Sequence, residues 1–392
     1  MSLFKCQIHP GSSARKVVNQ PRMDPWFASS QLAADLYASG ANLWRRDDLR
    51  NIEKQLAQTR TLRNFTVRLF NGDFVSIPNP MFGVEKPIWK PTIVFREYWN
   101  LVSKKPVNRP AMLYNCTYLV DYENDALKDH NQGPIPEAQT SFDEVRSKWE
   151  CSDACAAFKK LLQQLITGSG GETARNKKVT KVVCFALGEM ARKAPDWWRY
   201  QNAQKPEAER QSETQFLSGA QIHHAIALTI ASVVADSAST APSDPKQEPQ
   251  QPKEQEQQKV RLLTQDPSYS DATRSILEKT GTFEIVGKYG AEGFAEVDDE
   301  CIVFSPFAAA PVRQIVECFA RPVAMIYADY RPDVVLLQPG LMLDDPDSPR
   351  TVKMMEEYEL SDFPTESDSA ELKGGLDKLK IYSRVDGQSR LT

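Results

Sequence analysis

Apolar residues along this chain follow two alternating periods. Short runs such as Val182-Val183-Cys184-Phe185 and Cys301-Ile302-Val303-Phe304 have no polar break, as strands buried on both faces do. Between them, apolar positions recur every three or four residues, as on helices. The predicted order is strand Val179 to Leu187, helix 214 to 235, strand Val260 to Gln265, helix 271 to 280, strand Phe283 to Val286, strand Cys301 to Ser305, helix 311 to 320 and strand Val323 to Tyr327. Such alternation predicts an α/β fold: a Rossmann-like, mostly parallel sheet with helices on both faces.

The flanks read differently. Residues 1 to 138 suggest a smaller α+β region, in which Phe65 to Leu69 and Phe74 to Ile77 flank Asn71-Gly72, a dipeptide suited to a two-residue hairpin turn. Leu43, Leu49, Ile52 and Leu56 recur at helical spacing with charges between them, and no pattern is evident before Gln31. The main domain, 139 to 335, opens on one helix carrying Phe142, Val145, Trp149, Phe158, Leu161, Leu162 and Leu165, with Ser141 and Glu144 as a capping box, and ending at Gly168 to Gly171. Two insertions interrupt it. Ser237 to Lys259 is rich in Pro, Gln, Glu, Ser and Lys and reads as disordered, whereas Arg192 to Ser212 holds Trp197-Trp198-Arg199-Tyr200. The extension 336 to 392 offers a helix from Ser348-Pro349 through Val352, Met355 and Tyr358, an acidic loop at Ser361 to Ser369, and a strand at Lys378 to Val385.

Thr214 to Ala235 lacks Asp, Glu, Lys and Arg and is about long enough to cross a bilayer. Its polar residues argue against lipid. Gln221, Ser232, Ser218 and Thr229 gather on one arc, and a helix packed inside a protein is the expectation. With Lys plus Arg 48 against Asp plus Glu 52, net charge -4, no global field attracts nucleic acid or anionic lipid. Seven scattered cysteines, two of them (Cys184 and Cys301) inside apolar strands, fit a reducing compartment. The first residues show no secretory apolar core, so a cytoplasmic or nuclear setting is expected.

Candidate chemistry gathers at the carboxyl ends of the predicted strands, where open α/β sheets bind ligands. Asp266 stands where a nucleotide-binding fold holds a ribose, and would accept hydroxyl hydrogen bonds; Asp-Pro also simply starts turns. After the first strand, Ala186-Leu187-Gly188-Glu189-Met190 keeps one glycine of the phosphate fingerprint, so Gly188 and Glu189 offer a looser turn with backbone donors. Ser305-Pro306-Phe307 distantly echoes the Asn/Asp-Pro-Pro-Tyr/Phe element of amino-methyltransferases, in which Phe307 would stack on a flat group, but serine lacks the amide or carboxylate acceptor. His223 and His224 diverge by about 100° on a helix and suit core hydrogen bonding better than a shared metal. Cys151 and Cys155, four apart on the predicted helix, have no companion pair at zinc spacing and read as packing. No catalytic residue and no metal site are assigned.

Several of these segments together resemble a known family. Lys181 to Gly188, Gln221, Thr264-Gln265-Asp266-Pro267, Pro311-Val312-Arg313-Gln314-Ile315-Val316 and Ala320 to Ile326 are similar to the sensitivity to red-light reduced family, most of all its fungal branch, with a fainter likeness at Asp345 to Arg350 and Glu356 to Glu359. The resemblance implies a Rossmann-like domain of eukaryotes, tied to light signalling and the clock in plants and to haem metabolism in animals, without proven catalysis. It implies a regulatory or interaction protein with a protein partner and a possible nucleotide-like ligand. Where many members have Met-Pro-His-Cys, this chain has Ser305-Pro306-Phe307-Ala308, so any role of that histidine and cysteine does not carry over. The alternatives are an S-adenosylmethionine-dependent methyltransferase acting on a small molecule, and a scaffold working through its N-terminal region and acidic tail.

Overall fold

The computed structural model describes residues 24–103, 105–107, 109–124, 133–168, 177–239, 259–307, 309–328, 345–365, 370–376 and 378–385. Helix α1 (Pro25–Ala38) begins before the point where the sequence shows a pattern, because the Asp24 carboxylate accepts the Trp26 N–H and Pro25 fits the first turn. In α2 (Arg46–Ala57), Leu49, Ile52 and Leu56 are buried as their spacing predicts. Strands β1 (Asn64–Arg68) and β2 (Phe74–Pro78) form the expected antiparallel hairpin. Its turn is longer than two residues. Leu69 N–H bonds to the Asp73 carbonyl at 2.7 Å and Gly72 N–H to the Leu69 carbonyl at 3.0 Å, a closure that needs the positive φ of Gly72. Strand β3 (Trp89–Phe95), helix α3 (Tyr98–Val102) and strand β4 (Tyr118–Asn124) complete this region, β3 and β4 pairing antiparallel.

The single helix expected after residue 139 is two, α4 (Ala138–Glu150) and α5 (Asp153–Thr167). Ser152 breaks it: its hydroxyl accepts the Cys155 N–H at 3.1 Å and caps a new helix. Cys151 ends α4 while Cys155 lies in the first turn of α5, so they share no helical face. Ser141 is no cap either, since α4 already starts at Ala138. Then follow β5 (Lys181–Phe185), α6 (Asp196–Ala203), α7 (Glu213–Ser239), β6 (Arg261–Gln265), α8 (Asp271–Thr280), β7 (Phe283–Ile285), β8 (Cys301–Ser305), α9 (Val312–Glu317), β9 (Ala324–Ala328), α10 (Pro349–Met355), β10 (Tyr358–Asp362), α11 (Ala370–Leu376) and β11 (Leu379–Arg384). Helix α7 runs through Ser239, so the first residues of the expected disordered insertion are helical and 240–258 lie outside the described residues. Helix α10 stops short of Tyr358, which opens β10 instead.

The protein is mixed α/β around a seven-stranded, mostly parallel sheet of order β10-β11-β9-β8-β5-β6-β7. Strands β7, β6, β5, β8 and β9 are parallel to their neighbours, while β11 runs antiparallel between β9 and β10. Alternation sorts the strand residues between two cores. Val182, Cys184, Ile302 and Phe304 join one; Val183, Phe185, Cys301 and Val303 join the other. Burial raises the Cys184 and Cys301 thiols well above their usual range, in keeping with packing roles.

Helices α4, α5, α7, α8 and α11 cover the first face. The polar arc of α7 is the seam with α4: Ser141 Oγ donates to Gln221 Oε1 at 3.1 Å and Trp149 Nε1 to Thr229 Oγ1 at 2.9 Å. Both rungs are spaced eight residues on both helices, so the two run in the same direction. The apolar stretch within Glu207–Ala238, long enough for a bilayer, is 89% buried inside the protein.

The second face is covered by α9 and α10 together with the N-terminal elements, whose Leu49, Ile52, Phe65, Val67 and Tyr118 share its core. One carboxylate ties that cover to the sheet. Glu53 of α2, 7% exposed, accepts the backbone N–H groups of Tyr289, Ala291 and Glu292 at 2.6, 3.0 and 3.3 Å. Two segments distant in sequence also meet here: Arg313 Nε donates to Asp345 at 3.1 Å and its Nη1 to Asp347 at 2.7 Å. Glu53→Ala leaves three N–H groups without an acceptor and is expected to lower unfolding free energy by about 2–4 kcal/mol in urea denaturation, with Glu53→Gln intermediate.

Candidate functional site

Parallel strands end at one edge, and the order reverses between β5 and β8, the place where open α/β sheets leave a crevice. The turn after β5 is unusual. Ala186 takes φ +51° and Gly188 φ +97°, and a Cβ on Gly188 would come within 2.9 Å of the Ala220 Cβ. Glycine is required there both for its backbone and for the approach of α7. Ala186 holds a left-handed conformation that costs roughly 1 kcal/mol for a residue with a side chain.

This turn and the one after β6 exchange carboxylates. Gly188 N–H donates to Asp266 Oδ2 at 2.9 Å, and Asp266 Oδ1 also accepts the Ser268 N–H at 2.9 Å and its hydroxyl at 2.6 Å. In return, Glu189 accepts from Ser270 N–H at 2.6 Å, Ser270 Oγ at 3.0 Å and Thr273 Oγ1 at 2.5 Å, besides Ala191 and Arg192 N–H in its own turn. Ser270 is the N-cap of α8, so Glu189 also fixes where that helix begins. Asp266 is 7% exposed, and burial raises its carboxyl above the usual range against the pull of the Ser268 and Gly188 bonds.

Gly188, Glu189 and Asp266 are thus brought into one hydrogen-bonded unit. Their roles differ from those expected, because the Gly188 N–H and the Asp266 oxygens bind each other and Ser268. Ser305 and Phe307 stand on the far side of β5. Ser305 is 4% exposed with no partner on its hydroxyl, and the Phe307 ring meets His223 edge-on at 4.8 Å. Ser268, Ser270 and Thr273, the donors that saturate the two carboxylates, escaped sequence reasoning. Their only signal was a hydroxyl-rich stretch after Asp266-Pro267.

Both α7 histidines are core residues, as expected. His224 Nδ1 donates to the Ala220 carbonyl at 2.8 Å, which leaves Nε2 to accept from Tyr269 Oη at 2.8 Å, and Thr264 Oγ1 lies 2.8 Å from the same phenol. His223 Nε2 lies 2.9 Å from the Gly375 carbonyl of α11. Burial pushes His223 down to about 4 and His224 down to about 3. Among the described residues no group of three or more His, Cys, Asp or Glu is placed to hold a metal.

A cavity of about 990 Å³ lies at the opposite, amino ends of β5 and β6, lined by Arg146, Glu150, Lys159, Lys177, Lys178 and Lys259 among others. Helices α4, α5 and α7 end around it, and two of its lysines are bound elsewhere, Lys177 Nζ donating to the Arg384 carbonyl and Lys178 Nζ to Glu300 at 3.0 Å. It stands apart from the carboxyl-edge unit. Compared with protein-family models, with curated proteins and with solved structures, the chain finds no match.

Two measurements check this geometry. Gly188→Ala is expected to cost about 2–4 kcal/mol of stability through its left-handed φ and the Ala220 clash. Acid is the second probe. The folded pKa values of His223 and His224 lie below the unfolded value near 6.5, so the unfolded state binds the extra protons and stability falls as pH drops through that range. Between pH 7 and 5 each histidine should remove about 2 kcal/mol, and His224→Leu should halve the pH slope of urea unfolding.

Proposed function

We infer that this is a regulatory or interaction protein of the sensitivity to red-light reduced type, built on a Rossmann-like sheet. It binds a nucleotide-like small molecule at the carboxyl edge without turning it over, and acts through a protein partner. The observation that carries this reading is the saturation of the edge carboxylates. Asp266 and Glu189 accept from the chain's own N–H and O–H groups, so neither is free to take a proton from a substrate. The strand reversal between β5 and β8 supports a ligand seat, and the family likeness supports a regulatory role.

A second reading, an S-adenosylmethionine-dependent methyltransferase, is favoured by the sheet itself. Five parallel strands followed by a reversed strand slipped inside the edge is an arrangement typical of such enzymes, an analogy of fold alone. Asp266→Asn separates the two. As a structural lock, Asp266 should lose about 1–3 kcal/mol of folding stability on this change, while nucleoside affinity moves less than about threefold. No label should pass from methyl-labelled S-adenosylmethionine to the small-molecule fraction of a cell extract. Label transfer by the wild type that Asp266→Asn abolishes would establish the enzyme and end the regulatory reading.

A further inference from the structure

The loop that joins β2 to β3 carries apolar side chains that the two cores do not use. Phe82, Val84, Ile88 and Trp89, four large apolar residues within one short stretch, are each at least 37% exposed. A single exposed apolar side chain is ordinary, whereas several together mark a contact surface. The loop points outward. Every residue from Phe82 to Lys86 is exposed, and a Cβ on Gly83 would meet nothing within 4 Å.

Its base is fixed. The buried Asn79 donates from Nδ2 to the Thr59 and Leu62 carbonyls at 2.6 and 2.7 Å, and its Oδ1 accepts from the Met81 N–H and the Tyr122 hydroxyl, each at 3.0 Å. Gly83 N–H reaches the Arg60 carbonyl at 3.0 Å, a closure for which Gly83 takes φ +75°. Pro80 and Pro87 restrict the backbone on either side of the tip. The apolar side chains are therefore displayed on an ordered turn, and little ordering entropy opposes their burial against something else.

Cations surround this turn. The Arg63 guanidinium lies over the Phe82 ring at 5.0 Å, Arg60 is tied to Gly83 through its backbone, and Lys86 stands on the loop itself. Among the described residues none of these three is ion-paired, and between Asn79 and Lys90 the sequence holds one carboxylate, Glu85. The whole chain, at net charge -4, draws no anionic surface, but screening over roughly 8 Å at physiological salt makes the local charge decisive.

We propose that the stretch from Phe82 to Trp89 is a membrane-contact loop, which lays its apolar side chains into the interface of an anionic bilayer while Arg60, Arg63 and Lys86 meet the headgroup phosphates. Size and shape favour lipid over a protein partner. Four partly exposed side chains offer an apolar area on the order of 300 Å², against the roughly 800 Å² that each partner buries in a specific protein interface. A bilayer also accepts a protruding turn without a matching pocket, and tryptophan favours its interfacial zone. This inference is independent of the ligand seat at the carboxyl edge.

Co-sedimentation of the full chain with phosphatidylcholine vesicles, with and without phosphatidylserine, tests it. Binding is expected to be at least about tenfold tighter with phosphatidylserine and to fall as salt rises from about 0.1 to about 0.5 M. Val84→Asp combined with Ile88→Asp, at exposed positions, should lower binding at least about tenfold and leave the urea midpoint unchanged. Arg60→Gln combined with Lys86→Gln should weaken the preference for phosphatidylserine several-fold. Absence of the wild type from both vesicle pellets, or equal binding by the Val84→Asp and Ile88→Asp variant, overturns the inference. Capture of an acidic protein that this variant loses, without vesicle binding by the wild type, assigns the loop to a protein and likewise overturns it.

Discussion

A reciprocal exchange of carboxylates holds the carboxyl edge of the sheet. The turn after β6 lends Asp266 to Gly188 N–H, and the turn after β5 lends Glu189 to the hydroxyl-rich start of α8. The buried Asp266 carboxyl is tolerable only because several donors meet it, and the half-buried Glu189 is held in the same way. That mutual need fixes the spacing of two parallel strands at the end where they have no further backbone bonds. It also fixes the entry of α8 and, through the Gly188 contact with Ala220, the seat of α7. The exchange draws its donors from the β5 and β6 sides only, and Ser305 of β8 takes no part in it.

The same economy of buried polar groups recurs away from the edge. Glu53 gathers three N–H groups from the stretch after β7, and the Ser141–Gln221 and Trp149–Thr229 rungs join α4 to α7. These contacts lie between segments about 80 or more residues apart in sequence, so they specify tertiary arrangement rather than local structure. Glu53 also makes the N-terminal region part of the sheet's own packing. Removing residues 1 to 138 would strip Leu49, Ile52, Phe65, Val67 and Tyr118 from the second core and leave Val183, Val303 and Met325 with part of their cover gone.

Most of the central architecture was legible because strands buried on both faces have a plain signature. Cys301 to Ser305 and the helix 271 to 280 fall where the apolar pattern puts them. What escaped was decided by single side chains competing with the backbone. Ser152 divides a continuous apolar stripe into α4 and α5, and Asp24 starts α1 ahead of any periodicity. Tyr358 has the spacing of a helix but pairs as a strand, because β11 offers it a partner that local sequence cannot reveal. At the candidate site, the positions of Gly188 and Asp266 side by side followed from strand order. Their mutual saturation did not, since it depends on Ser268, Ser270 and Thr273 arriving from a loop whose sequence looks like any polar turn. His223 was readable as a core histidine, but its contact with the Gly375 carbonyl, 152 residues away, was not.

The position of β11 sets a schedule for assembly on the ribosome. This strand comes latest in the described order yet sits second from the edge, between β9 and β10. Until residue 384 has emerged, β9 exposes one flank of the central layer and β10 has nothing to pair with. A nascent chain therefore carries an open flank from the arrival of β9 at Ala324–Ala328 until β11 at Leu379–Arg384, and shielding by a chaperone is most needed in that late interval. A chain stopped before Leu379 lacks β11 and leaves that flank open for good.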